Sequence, residues 1–509
     1  MVSLSLVNHL YSVGSLQNQE AGPSYRVKNR LFDAILTGVQ DITIDGLDYD
    51  PETSELIIDG STMPLHSISV DNPLPFPLRS KVEVRLTGAP LAEGPHTISC
   101  SFVCDPFGPL DFEAVDYVVQ PPPERPHIPR TDEDWSQEAV QARQQFVHDV
   151  TGVQLQHVSQ ITYDPGLTQG NIENLTGTAE IPLGIAGPLI VNGEHAKGEF
   201  LVPMATTEGT LIASYNRGMK VLNAAGGVTC TVQDDSMQRA PVFIFDSARE
   251  ARDFGHWLQQ NLEEIRTVAE STTHVGKLLR IEVYLAHRYA FCRFDYTTGD
   301  AAGQNMVSKA TFAAASWIIS HRPEIRHFYL ESNFATDKKA SQVNIMHTRG
   351  KRVTAEVIIP RQVLGSVMRV TPEGLVQHGS VANVGAFLSG AVNNGLHAAN
   401  GITAMFIACG QDVANVAESS AAVIHGEVVD EGLYLAITLP SLIVATHGGG
   451  TALPTQHECL AMLGCTERGT VNKLAEIVAG TVLAGEISLA SAISALDWVS
   501  SHEQYGRNR

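Results

Sequence analysis

Four stretches decide the reading of the fold: Val242-Phe-Ile-Phe245, Lys277-Leu-Leu-Arg-Ile-Glu-Val-Tyr-Leu285, Tyr289-Ala-Phe-Cys-Arg-Phe-Asp295 and His327-Phe-Tyr-Leu330. They are short, rich in aromatic and β-branched residues, and read as strands. Residues 248–268 lie between the first two and residues 305–320 between the last two, and both read as helices. Strand, helix, two strands, helix, strand is the split βαβ, ferredoxin-like arrangement, placed here at residues 241–333.

Upstream, residues 27–119 read as β-rich, with Val82, Val84 and Leu86 alternating with charges and Ile98, Cys100 and Phe102 alternating in the next segment. Gly, Pro and Asp-Asn turns separate these strands, which suggests a small antiparallel sandwich or barrel. Gln120-Pro-Pro-Pro-Glu-Arg-Pro126 and Pro129 then form a stiff extended linker. Residues 132–150 read as a helix capped by Asp132 or Asp134, with Val140, Phe146 and Val147 as its apolar face. Residues 206–225 form another helix, ended by Gly226-Gly227. Further helices, from Ala382 and from Val471, are rich in Ala, Gly and Ser.

The 509 residues are too many for one ordinary core. With 34 basic against 55 acidic residues and a formal charge of -21, a general nucleic-acid or anionic-membrane binder is disfavoured. Seven scattered cysteines (100, 104, 230, 292, 409, 459, 465) point to free thiols in a reducing compartment. Cys100 and Cys104 sit in an alternating segment and read as buried strand residues; no metal site is expected. The first residues lack a basic n-region and a long apolar h-region. No run of 18 or more apolar residues occurs, so the expectation is a cytoplasmic, soluble protein.

The chemistry lies in four blocks: Met204-Ala-Thr-Thr-Glu-Gly209, Ala335-Thr-Asp-Lys-Lys339, Ala408-Cys-Gly-Gln-Asp412 and Ser501-His502. They offer a carboxylic acid, an ammonium, a second carboxylate and an imidazole. That set suits a reaction in which a carbonyl gains negative charge and a leaving group is protonated. Taken singly, each has an ordinary structural explanation: an acidic helix start, a polar turn, a terminal histidine. Their combination and order, from about residue 173 to residue 502, resemble the catalytic portion of the hydroxymethylglutaryl-CoA (HMG-CoA) reductases.

The resemblance implies an α+β fold: a β-sandwich-like accessory domain (1–120), a Pro-rich linker (121–131), a small helical domain (132–171) and a large helical-rich domain (172–240 and 334–509). Into the large domain the ferredoxin-like, dinucleotide-binding domain (241–333) is inserted. The β-rich piece weakly resembles the β subunits of C-glycoside deglycosidases, in Leu91-Ala-Glu-Gly-Pro-His96 and Phe107-Gly-Pro-Leu110. In the roles the reductase family implies, Lys338 stabilises the carbonyl oxygen as hydride arrives and Asp412 orients Lys338. Glu208 donates a proton, which needs its pKa raised by burial or by a neighbouring carboxylate such as Asp412. His502, on a C-terminal lid, protonates the CoA thiolate.

Ser214, Asn216, Arg217 and His397 match CoA-side positions, His397 and Asn400 being placed on one long helix. Arg239, Asp337, Lys339 and Asn400 match acyl-side positions. For the dinucleotide, Gly299-Asp-Ala-Ala-Gly-Gln-Asn305 and Gly448-Gly-Gly-Thr451 resemble the family's two glycine-rich loops. They supply Asp300, Ala302, Gly303, Gln304, Asn305, Gly449, Gly450 and Thr451. Glycines let a backbone approach pyrophosphate.

Two positions depart from the family. A Ser-Arg-Phe triplet that grips the 2′-phosphate reads Thr273-His274-Val275 here, so NADPH is expected with NADH possible, and His274 is the residue in question. Glu331 stands where a serine is usual, beside the expected site for a carboxylate-bearing acyl group. The implied activity is reduction of HMG-CoA to mevalonate and CoA by two hydride transfers, in a homodimer or dimer-based oligomer. The alternatives are reduction of another acyl-CoA and a non-catalytic regulatory homologue.

Overall fold

The structure, a computed structural model, describes residues 7–30, 33–119 and 125–495. It is a mixture of helices and sheets built around three separate apolar cores.

The first core lies between two five-stranded antiparallel sheets formed by residues 17–118. Alternation dictates its packing. In Gly94–Asp105 every second side chain from His96 to Cys104 is buried, and Cys100 and Cys104 are among them. Beyond the proline-rich segment, of which residues 120–124 lie outside the described residues, comes helix α1 (Gln137–Thr151). Its cap is Ser136, which accepts from Ala139 N, and not Asp132 or Asp134. Asp134 instead accepts from Arg143. Arg143 is fully buried, and it also donates to the carbonyls of Pro129 and Leu175. The apolar face is smaller than expected, with Ala139 and Val140 buried beside that arginine.

An eight-stranded sheet joins the other two cores. Its order is His327–Tyr329, Val242–Ile244, Tyr289–Tyr296, Thr229–Arg239, Gly350–Pro360, Gly432–Leu442, Val423–Val429, and Leu278–Ala286 pairs along the flank of Tyr289–Tyr296. The strand Thr229–Arg239 is the hinge of this sheet. Residues 229–236 pair with Gly350–Pro360, while Met237, Gln238 and Arg239 pair with Tyr296, Asp295 and Phe294. Arg239 therefore stands at the point where one core hands over to the next.

The strands at 242–244, 278–286, 289–296 and 327–329 are antiparallel neighbours in the order fourth, first, third, second. Helices α3 (Ala248–Gln260) and α4 (Leu262–Glu270) replace the single helix expected there, with a break at Asn261. Helix α5 (Gln304–His321) is the second crossover. In the large core, α2 (Leu211–Ala224) packs on α8 (Val471–Ser494) so closely that a Cβ on Gly218 would lie 1.8 Å from the carbonyl oxygen of Ala484. Helix α8 is long and apolar enough to cross a membrane, but 78% of its apolar window is buried inside the fold, as in a core helix.

Two expectations about helices need correction. Helix α2 starts at Leu211, not at residue 206, because Thr210 takes a left-handed conformation (φ 71°) that no helix continues through. Glu208 is therefore in the loop ahead of the helix. The single long helix expected to carry His397 and Asn400 is two, α6 (Pro372–Ser389) and α7 (Ala398–Ala408). Gly390 (φ 72°) ends α6, and His397 is the residue just before α7.

Candidate active site

Lys338 sits in a tightly wound turn. Asn333, Thr336 and Lys338 all have positive φ (63°, 52° and 59°), a conformation that costs an L-residue on the order of 1 kcal/mol and more for a β-branched one. Such a turn persists only if something holds it, and a buried ion pair does. Arg349 and Glu418, each fully buried, meet at 2.5 Å between Nη1 and Oε1. The same Oε1 accepts the backbone N–H of Lys338 at 3.1 Å, and Arg349 Nη2 donates to Asp337 Oδ1 at 2.7 Å. Burial pushes Glu418 up to about 7, against the pull of Arg349. Held this way, the Lys338 ammonium reaches Asp412 Oδ2 at 3.0 Å. Asp412 is itself fixed as the cap of a short turn, its Oδ1 accepting from Ala414 N at 3.1 Å. Lys339 is more peripheral and donates to the carbonyl of Asp337.

A cleft of about 670 Å³ opens beside Asp412, lined by residues 301–306, 410–412 and 447–450. Its two glycine-bearing loops are tied together. The Asp300 carbonyl accepts from Thr446 N, and its carboxylate accepts from Gly469 N at 2.8 Å, close to the start of α8. Asp300 thus positions the loops through its own contacts. Gly410 and Gly450 touch backbone to backbone, since a Cβ on Gly410 would lie 2.4 Å from the Gly450 oxygen. Gly303 (φ 79°) opens α5, and Gln304 donates to Asn415 Oδ1. Asn305 is exposed beside it, Thr451 is buried with its hydroxyl on Gly448 O, and at Gly449 (φ 58°) a Cβ would meet open space. His274 is exposed on a loop that abuts this cradle: Thr273 Oγ1 lies 3.1 Å from Met306 Sδ, and a Cβ on Gly299 would lie 3.0 Å from Val275.

A second cluster forms where α2, α7 and α8 meet. Asn400 Nδ2 donates to both carboxylate oxygens of Glu208, at 3.0 and 2.9 Å. His397 Nε2 lies 3.3 Å from Ser214 Oγ, which lies 3.0 Å from Ser488 Oγ. Arg217 donates to the Ser488 carbonyl at 2.5 Å. Burial holds His397 below the ordinary imidazole range, against the opposing effects of Glu208 and Asn400. Its backbone is fixed by Glu486, a buried α8 carboxylate that accepts the N–H groups of Leu396, His397 and Ala398. Burial pushes Glu486 up to about 7. Asn216 points elsewhere, accepting from Gly187 N at 2.7 Å, because residues two apart on a helix do not share a face. No hydrogen bond or ion pair among the described residues joins Glu208 to Asp412; the Asp412 carboxylate pairs with Lys338.

Arg239, at the hinge of the large sheet, donates from Nη1 to Glu331 Oε2 at 2.6 Å and lies 3.7 Å from Asp337 Oδ2. His502 lies outside the described residues. Among the described residues, Glu194, His195 and Glu476 also come together, but the Glu476 carboxylate is taken up by the backbone N–H groups of residues 194, 195 and 196.

The family model for hydroxymethylglutaryl-coenzyme A reductase matches residues 139–507, and the model for the N-terminal domain of the same family matches residues 6–119. The chain belongs to the HMG-CoA reductase family. It is similar to the 3-hydroxy-3-methylglutaryl-coenzyme A reductase of Methanothermobacter thermautotrophicus, at 44% identity over 73% of this chain and 94% of that one. The corresponding protein of Pyrococcus abyssi is 41% identical over 72% and 93%. Among solved structures, the class II reductase of Streptococcus pneumoniae bound to NADPH aligns with a TM-score of 0.53 at 20% identity, covering 64% of this chain and 79% of that one. The N-terminal match affiliates the β-rich piece with the reductases, where sequence reading had likened it to deglycosidase β subunits.

Sequence reading missed Arg349, Glu418, Ser488 and Glu486. A signal for Glu486 existed: a lone carboxylate in a run of Ala, Gly, Leu and Ile on a helix cannot be buried without partners.

Proposed function

We propose that Lys338, Asp412 and Glu208 carry the reduction of HMG-CoA to mevalonate and free CoA. The activity itself follows the family: this chain is an oxidoreductase acting on that thioester. The observation that supports the residue assignment is the Lys338–Asp412 pair at the mouth of the glycine-lined cleft. The cleft suits a dinucleotide, because glycine loops leave backbone uncovered on its wall. NADPH is the expected occupant, held by residues 300–305 and 449–451 with His274 nearest the 2′-phosphate position; bound there, it supplies hydride.

As the thioester carbonyl gains charge, the Lys338 ammonium stabilises its oxygen, an effect worth about 3–4 kcal/mol for one oxyanion donor. Asp412 keeps that ammonium aimed. Glu208, steered by Asn400, supplies the proton, and His502 protonates the departing CoA thiolate. Ser214, Arg217 and His397 form the CoA side; Arg239, Asp337 and Lys339 form the acyl side.

We read residues 241–333 as a ferredoxin-like domain inserted into the large one, and the antiparallel strand order supports this. A homodimer is favoured by the outer face of α6, where Val381, Val384, Phe387 and Leu388 are exposed by 66, 59, 84 and 78%. It would also give the Glu208 and Lys338 clusters a way to meet. Seven unpaired, buried cysteines fit a cytoplasmic protein. Replacing Lys338 by Ala tests the assignment: kcat falls about 100-fold or more while the melting temperature holds. A near-normal kcat refutes it.

A further inference from the structure

We infer that Glu331 is a built-in competitor for the substrate's acyl carboxylate, holding Arg239 until HMG-CoA displaces it. This rests on the reading of Arg239 as the acyl-side arginine. Arg239 is 8% exposed, and its Nε, buried, has no hydrogen-bond partner among the described residues. Its Nη1 is engaged by Glu331 Oε2 at 2.6 Å, with Asp337 Oδ2 a further 3.7 Å contact.

The two acids are not equivalent. Asp337 is anchored by Arg349, a fully buried partner at 2.7 Å, and belongs to the turn that presents Lys338. Glu331 is 46% exposed at its side chain, and among the described residues its one hydrogen bond beyond Arg239 is from Asn333 N to Oε1 at 2.7 Å. A third carboxylate arriving at this guanidinium meets the repulsion of both acids and competes for the Nη1 edge that Glu331 occupies. Of the two, the exposed, loosely anchored Glu331 is the one free to give way and move into water. The exchange is one charge-assisted hydrogen bond for another. It keeps the buried Arg239 paired in the free protein and taxes affinity for the acyl group.

The test is direct binding of the free diacid 3-hydroxy-3-methylglutarate, measured by titration calorimetry on the full chain, with CoA alone titrated in parallel. Glu331→Gln removes the competing charge but keeps an oxygen for Asn333 N–H. The diacid should bind about fivefold tighter to this variant, the factor expected for relieving a partly exposed ion pair, while CoA affinity stays the same. Unchanged or weaker diacid binding overturns the inference. Arg239→Gln, checked for folding by its thermal transition, separates the two claims. If it binds the diacid as well as the native chain does, the reading of Arg239 itself fails. If it loses the diacid while Glu331→Gln gains nothing, only the competitor role fails. Should Arg239→Gln not fold, Arg239→Lys, which keeps the charge but loses the fork, takes its place under the same criteria.

Discussion

Replacing Glu418 by Ala should cost both stability and turnover, and the two losses have different origins. The substitution strips Arg349, whose side chain is fully buried, of its 2.5 Å partner and leaves it, among the described residues, Asp337 alone. Breaking one side of a buried ion pair costs about 3–5 kcal/mol. The lower end applies, because Arg349 keeps one carboxylate and the burial of Glu418 was itself unfavourable, as its rise to about 7 shows. The same change removes the acceptor for Lys338 N–H at 3.1 Å. With that restraint gone, a left-handed Lys338 can relax and draw its ammonium away from Asp412, so kcat should fall about tenfold or more. Glu418→Gln keeps an oxygen over Lys338 N–H and so should recover most of kcat while still melting below the native protein. Urea unfolding gives the stability change and steady-state kinetics gives kcat. An Ala variant within about 0.5 kcal/mol of native with unchanged kcat would refute the reasoning, since no buried network would then be holding the turn.

Three further outcomes are expected. Glu486 titrates near 4.5 when unfolded and about 7 when folded, so the folded state binds more protons between those values and stability falls as pH rises from about 4.5 to 7. The loss is on the order of 3 kcal/mol at most, and Glu486→Gln should flatten that slope in pH-dependent unfolding, whereas an unaltered slope would place the titration elsewhere. His274→Arg should widen the preference for NADPH over NADH by about 1–3 kcal/mol in kcat/KM, and no change in the ratio would mean that the 2′-phosphate is read by another residue. Removing residues 1–125 should leave a folded reductase, because the β-rich core is separate from the other two; an inactive, insoluble product would show that the domain completes the site.

What could be read in the sequence was whatever lies in contiguous or periodic stretches. The alternating burial of Gly94–Asp105, the strands of 242–329 and the Asp-Lys-Lys turn are of this kind, because their determinants are local. The network behind the turn is not local. Glu418 lies 69 positions from Arg349 and 80 from Lys338, and nothing in Ala417-Glu-Ser-Ser420 announces a partner. Helix limits failed where one residue's backbone overrode a pattern: Thr210 delays α2, and Gly390 splits what the Ala- and Gly-rich composition suggested was continuous. Within the single chain Asp412 pairs with Lys338, and no hydrogen bond or ion pair among the described residues joins it to Glu208. The partner of Glu331 was likewise out of sequence reach, since Arg239 stands 92 positions away.

The most direct test of the account is the stoichiometry of a single substrate. Purified chain, limiting HMG-CoA and excess NADPH are followed together by loss of reduced-nicotinamide absorbance and by thiol release. Two equivalents of NADPH oxidised per CoA freed, with mevalonate as the product, is the predicted result. One equivalent with an accumulating aldehyde, or no oxidation with HMG-CoA when another acyl-CoA is turned over, would contradict it.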